Sequence, residues 1–350
     1  MNTRPFSTLH STPTVVSDQP TAPDNPAPDQ PSSGQDQPQV HSTQRVPAPG
    51  GRALVLGGGG STGNAWLIGV IAGLFEAGLD VTDADLIIGT SAGSTAAAQI
   101  TAADPAKLFA DILAAVPQPR TGPAGSGRGP GPVGPVMNQL ERTGKIIAAA
   151  GDAADMRRRM GAAALELDAA SDGSRQAQWR STVAARLPSQ LWPQQRMLIT
   201  AVDAHTGEPV EFDRDCGVDL VDAVAASCSS GVAYSIRGSR YIDGGYRSNA
   251  DNADLAAGYS RVLVLSPFGG RSRTPEEWGM HLATQVDELR AHGSKVETIF
   301  PDGSSEHVFG ANAMNVSLRP AAARGGYDQG AALAGELTEF WRGHNEVPAG

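Results

Sequence analysis

The chain has 350 residues, is 40% apolar and carries a formal net charge of -10, so it can bury the core of one large domain or of two modest ones. The negative balance excludes general electrostatic attraction to nucleic acid or anionic lipid headgroups, and any lipid contact has to be local and apolar. Its two cysteines, Cys216 and Cys228, build neither a disulfide framework nor a cysteine-histidine metal cluster, which fits a reduced, intracellular protein.

Residues 1–50 hold ten of the 25 prolines among Ser, Thr, Gln and Asp, a composition expected to stay disordered because it buries too little apolar surface. No apolar run reaches the roughly 18 residues of a membrane span. The nearest, Ala65 to Phe75, is interrupted by two glycines. The N-terminus also lacks the apolar core of a signal peptide. The expected location is cytoplasmic, with at most peripheral membrane contact.

Order is expected from Arg52-Ala-Leu-Val-Leu56, a short apolar run fit for a buried strand, which ends on Gly57 to Gly60. Between Asn64 and Gly78, Trp66, Leu67, Val70, Ile71, Leu74 and Phe75 recur at helical spacing. Leu86-Ile87-Ile88 is the next strand, and Ser94 to Ile100 the next helix. Strand and helix alternating in this way predict a mostly parallel α/β sheet.

The stretch 116–135 is rich in Gly and Pro and reads as a flexible loop, and 136–190 as an alanine-rich helical insertion. Strands are predicted at Met197 to Val202 and Pro209 to Phe212, with a helix at Leu220 to Ala226. Ser235 to Ile242 reads as a hairpin turning at Gly238-Ser239 and delivering Asp243 at its exit. Arg261 to Ser266 is a further buried strand. Pro275 to Arg290 is an amphipathic helix, Lys295 to Phe300 a strand and Tyr327 to Arg342 a closing helix. The expected organisation is a main domain over 51–270, with 271–350 as an extension packed on it.

Gly89-Thr90-Ser91-Ala92-Gly93 matches G-x-S-x-G between a predicted strand and a predicted helix, where Gly89 and Gly93 permit a sharp turn that lifts a serine hydroxyl clear. Gly58, Gly59 and Gly60, at the exit of the first strand, offer unobstructed amides that could stabilise an oxyanion. The same loop, read as Gly58-x-Gly60-x-x-Gly63, also fits a dinucleotide-binding turn with Asp80 or Asp83 as ribose acceptor; the second glycine turn at Ser91 weighs against it. Serine ordinarily needs a histidine base. His10 and His41 fall in the tail, and His205, His281, His292, His307 and His344 are not flanked by glycine-rich turns or at clear strand exits. Asp243, before Gly244 and Gly245 at a strand exit, is the better placed group.

Taken in order, Gly58-Gly-Gly-Ser-Thr-Gly63, Gly89-Thr-Ser-Ala-Gly93 and Asp243-Gly-Gly245 resemble the motifs of the patatin-like phospholipases. The resemblance runs from about Ala53 to Pro267, including Ala225-Ala-Ser-Cys228 and the segment Arg247 to Leu255. It implies a three-layer α/β sandwich whose mostly parallel central sheet is flanked by helices. It also implies a Ser-Asp dyad with no catalytic histidine: Ser91 as nucleophile, Asp243 as base, and the amides of Gly58, Gly59 and Gly60 as oxyanion hole. The implied substrates are lipid acyl esters, a phospholipid or lysophospholipid. Two positions depart from the family pattern: Thr62 stands where Arg or Lys is common, and Ser229-Ser230-Gly231 where a proline is common. No cofactor, metal, nucleic acid or specific protein partner is expected. Rival readings are an acyltransferase using the same serine and a binding module that has kept only the fold.

Overall fold

The computed structural model describes residues 50–115, 135–169, 174–303 and 306–343, all within one compact unit. The expected tail, through residue 49, and the Gly/Pro loop, through residue 134, lie outside the described residues.

The apolar runs form the strands of an eight-stranded sheet: β1 (Arg52–Leu56), β2 (Leu86–Gly89), β3 (Met197–Asp203), β4 (Pro209–Phe212), β5 (Tyr234–Ile236), β6 (Ser239–Asp243), β7 (Arg261–Leu265) and β8 (Lys295–Ile299). The order is β5-β6-β3-β2-β1-β7-β8, with β4 also on β3. From β3 through β8 the pairings along this order are parallel, while β4, β5 and β6 run antiparallel to their partners. The helices are α1 (Gly60–Glu76), α2 (Ala92–Ile100), α3 (Pro105–Ala114), α4 (Pro135–Ala149), α5 (Ala153–Ala169), α6 (Ser174–Ala184), α7 (Leu220–Ser227), α8 (Leu282–Ala291) and α9 (Arg319–Arg342).

Side chains of the central strands alternate between two cores, the period-2 consequence of a pleated sheet covered on both faces. Leu54, Leu56, Ile87, Leu263 and Leu265 pack with α1, α7 and α9. Ala53, Val55, Ile88, Val262 and Val264 pack with α8 on the opposite face, and α5 covers Val202 and Ile242. The result is the expected three-layer α/β sandwich with a mostly parallel sheet.

One register detail positions the site. β2 pairs with β3 up to Gly89↔Ile199, and β6 pairs with β3 from Ala201↔Asp243. Because β4 takes Ile199 to Val202 on the other edge, β2 and β6 occupy the same edge of β3 and arrive from opposite directions. They meet at Thr200. The residues that follow their ends, Ser91 and Asp243-Gly244, are thereby brought together.

Several boundaries depart from expectation. Pro275 to Arg290 is not one helix: a short 3-10 turn at Glu276–Trp278 is followed by Gly279 at φ 65, which breaks the path before α8 begins at Leu282. The hairpin turns at Arg237-Gly238, both with positive φ (49 and 92), one residue earlier than expected and as a two-residue hairpin favours. α3, absent from the sequence reading, is started by Asp104, whose side chain accepts the Lys107 N–H, and by Pro105.

Candidate active site

Ser91 sits between β2 and α2 with φ 52 and ψ -114, a left-handed strain that a non-glycine residue accepts only where its surroundings enforce it. They do so here through glycine. A Cβ at Gly89 would fall 2.6 Å from Ser94 Cα, and one at Gly93 would enter the Leu56 carbonyl, so the turn closes only with glycine at both positions. The Ser91 N–H donates to Ser227 Oγ at 2.9 Å, and Cys228 Sγ lies 3.1 Å from the Ser91 carbonyl oxygen. The serine hydroxyl donates to Asp243 Oδ2 at 2.9 Å.

Asp243 ends β6 and is 7% exposed. Its N–H donates to the Ser229 carbonyl at 3.0 Å, and its Oδ1 accepts the Gly245 N–H at 2.8 Å. Burial raises its pKa from the ordinary carboxylate value to about 6, against the opposing pull of the Gly245 and Ser91 hydrogen bonds. Gly244 is required by contact, since a Cβ there would meet Thr200.

The glycine loop leads from β1 into α1, which begins at Gly60, earlier than the periodicity of its apolar face indicated. A Cβ on Gly58 would lie 3.6 Å from Ser91 Cβ, so the loop abuts the serine. The Gly58 N–H, however, donates to the Ala250 carbonyl at 2.7 Å. Of the three amides expected to face an oxyanion, this one is already engaged. Asp80 accepts from Thr82 and Asp83 pairs with Arg52 at 3.1 Å, so both proposed ribose acceptors are held by local contacts.

A turn at 249–252, within the segment Arg247 to Leu255 that the resemblance covers, ties the three motifs together, a role that the sequence alone did not show. Asn249 Oδ1 accepts the N–H groups of Asp251 and Asn252. Ala250 holds the glycine loop as above. Asn252, fully buried at φ 56, donates to Thr90 Oγ1 at 2.9 Å and to the Gly244 carbonyl at 3.0 Å, joining the serine turn to the aspartate turn. Asp251 packs its carboxyl against Gly57, where a Cβ would strike Oδ1. Among the described residues that oxygen is buried with no hydrogen-bond partner, and desolvation, opposed by a side-chain hydrogen bond from Ser266, raises the Asp251 pKa to about 7. The ring nitrogens of His281 and His292 contact the carbonyls of Thr274 and Glu288. Among the described residues no three His, Cys, Asp or Glu side chains converge as a metal-ligand set, and no helix is long and apolar enough to cross a membrane.

Comparison with known proteins agrees with the motifs. The family model described as patatin-like phospholipase matches residues 54–256, more than half of the chain. No curated protein sequence matches. Among solved structures, the chain is similar to VipD from Legionella pneumophila, with 14% identity and a TM-score of 0.36, over 83% of this chain and 68% of that one. It is also similar to the type III effector protein ExoU, with 14% identity and a TM-score of 0.38, over 85% of this chain and 54% of that one, about half of its length.

Proposed function

The chain belongs to the patatin-like phospholipase family, and we propose that it hydrolyses lipid acyl esters with Ser91 as nucleophile and Asp243 as its base. One observation carries this reading: the 2.9 Å hydrogen bond from Ser91 Oγ to Asp243 Oδ2, made by a serine held at strained backbone angles. Asp243 takes the hydroxyl proton as Ser91 attacks the ester carbonyl. The tetrahedral intermediate collapses, the alcohol leaves with that proton, and water then cleaves the acyl-serine by the same route in reverse.

A carboxylate with an ordinary pKa near 3.9 is a weak base. Burial of Asp243 strengthens it while leaving it mostly ionised at neutral pH. For the oxyanion, commitment of the Gly58 amide to Ala250 leaves Gly59 and Gly60 as the proposed donors from this loop. Ala92, first residue of α2, adds an amide at a helix N-terminus.

The test is hydrolysis of a short-chain aryl ester and of a phospholipid by wild type, Ser91→Ala and Asp243→Asn, with folding followed by circular dichroism. Folded but inactive variants are expected. Wild-type rates from both would refute the dyad.

A further inference from the structure

Asp251 has no part in the chemistry proposed above, yet the turn that carries it holds the parts of the site together. It is 2% exposed. The residue before it, Ala250, accepts the Gly58 N–H at 2.7 Å, and the residue after it, Asn252, joins Thr90 to Gly244. Its own carboxyl lies on Gly57, so closely that a Cβ there would fall 2.1 Å from Oδ1. Among the described residues, that oxygen and Gln329 Oε1 are the buried side-chain oxygens with no hydrogen-bond partner. The carboxyl is hydrogen-bonded by the Ser266 hydroxyl, whose oxygen in turn accepts the Gly270 N–H at 3.0 Å.

Among the described residues no charge is placed to offset an ionised Asp251. The glycine loop, Gly57 to Gly60, and the end of β7, Leu263 to Pro267, carry no titratable side chain. Arg319, further along the loop, is bonded to Ser61 and Asn64. From α8, Gln285 accepts the Ala253 N–H, and His281 at its start contacts the Thr274 carbonyl. On the segment of Asp251 itself, Arg247 is paired with Glu211 at 2.7 Å and Asp254 at 2.8 Å, and Asp243 is engaged by Ser91 and Gly245. Burial is therefore the dominant influence on Asp251, with Ser266 pulling the other way.

We propose that Asp251 is a positioning residue that works as the neutral acid, seating the glycine loop beside Ser91 while protonated and unseating it when ionised. This rests on the reading of Ser91 as nucleophile and of the loop amides as oxyanion donors. A buried charge without a partner is costly enough that a water or an amide has to move to it. Such a movement begins where the carboxyl meets Gly57 and Ala250 holds Gly58, and loop amides displaced by about 1 Å can cost up to roughly a hundredfold in rate. Turnover is therefore lost on both sides: below about pH 6 as Asp243 is protonated, and above about pH 7 as Asp251 ionises.

The measurement is kcat for a short-chain aryl ester from pH 5 to pH 9, with the Ser91→Ala rate subtracted as background and folding followed by circular dichroism. Wild type is expected to stay folded and to lose about tenfold in kcat between pH 6.5 and pH 8.5 with KM little changed, the loss reversing on return to pH 6.5. Asp251→Asn, neutral at every pH, is expected to have a flat alkaline side. Ser266→Ala removes the hydrogen bond that favours the ionised form, so its alkaline limb moves to higher pH. A residue that served packing alone would lower the rate equally at all pH values. A flat alkaline side in wild type, or an alkaline loss that coincides with unfolding, overturns the assignment while the hydrolase stands. So does the wild-type limb kept in Asp251→Asn, or in Ser266→Ala should the first variant not fold. No turnover of any ester by wild type at any pH overturns the hydrolase reading, and this role with it.

Discussion

Asp243 and Asp251 are both buried carboxyls near the same turn, yet their environments give them different work. Asp243 keeps two hydrogen bonds that favour its ionised form, and its pKa is raised only to about 6. As the proposed base it would act deprotonated, so the expected profile of kcat/KM falls tenfold per unit as pH drops below about 6, with no histidine variant moving that limb. A limb abolished by replacing any one histidine would contradict the assignment. Asp251 keeps one such bond, from Ser266, while its Oδ1 has no partner among the described residues, and its pKa is near 7. Its folded value lies above its unfolded value of about 3.9, so its contribution to stability is complete below pH 4 and is lost as pH rises towards 7. Asp251→Asn removes that loss. The expected result is a Tm higher by a few degrees at pH 8 and nearly unchanged at pH 4, read by thermal melts at the two values. Ser91 and Asp243 could be picked out from sequence because glycines flank them and each follows a strand. Ser227, Asp251 and Asn252 fall in segments that the resemblance covers, but their roles could not be read there, because they lie in contacts with residues far away in the chain, such as Asn252 with Thr90.

At the scale of elements, the glycine loop is held from two sides, by the 249–252 turn and by the start of α9. Arg319 donates to the Ser61 carbonyl at 2.7 Å and to Asn64 Oδ1 at 3.0 Å, and the Ala313 carbonyl accepts the Thr62 N–H at 3.0 Å. Burial lowers the Arg319 pKa to about 10, which still leaves a full positive charge at the N-terminal turn of α1. Replacing it by Ala frees the first turn of α1, and loop amides displaced by about 1 Å can cost up to roughly a hundredfold in rate. The expected outcome for Arg319→Ala is a lower kcat with KM little changed, partly restored in Arg319→Lys; equal loss in KM alone would mean the clamp serves binding. The early start of α9 was hidden by Gly325-Gly326, which reads as a helix end. In the fold Gly326 and Gly330 instead lie against the backbone of Trp66 and Val70, and Gly69 and Gly73 of α1 lie against Ala323 and Tyr327. Glycine that signals a break locally here serves close helix packing, which a one-dimensional pattern does not distinguish. Gly279 is the opposite case, a true break inside an apparently amphipathic stretch.

For the whole molecule, the matched region 54–256 is not a complete structural unit. β7 and β8 complete the sheet beyond it, and α9 closes the face of α1 with Leu337 and Trp341 buried in the main core. Trp341 Nε1 also bonds Asp83, and Trp66 meets Phe309 edge to face at 6.3 Å. Truncation after Gly270 would strip this cover and expose Trp66, Val70 and the backbone grooves at Gly69 and Gly73. It would also leave β7 as an apolar edge strand, which invites pairing between chains. Loss of a single large core side chain costs about 3–5 kcal/mol, against a total stability of about 5–15 kcal/mol for a domain, and this truncation removes several. The truncated chain is therefore expected to be insoluble, or to lack a cooperative melt, whereas the full chain is expected to melt in one step. A soluble truncated protein that melts cooperatively within a few degrees of the full chain would show that residues 271–350 are an accessory. In that case Arg319 could not be a support that the glycine loop requires.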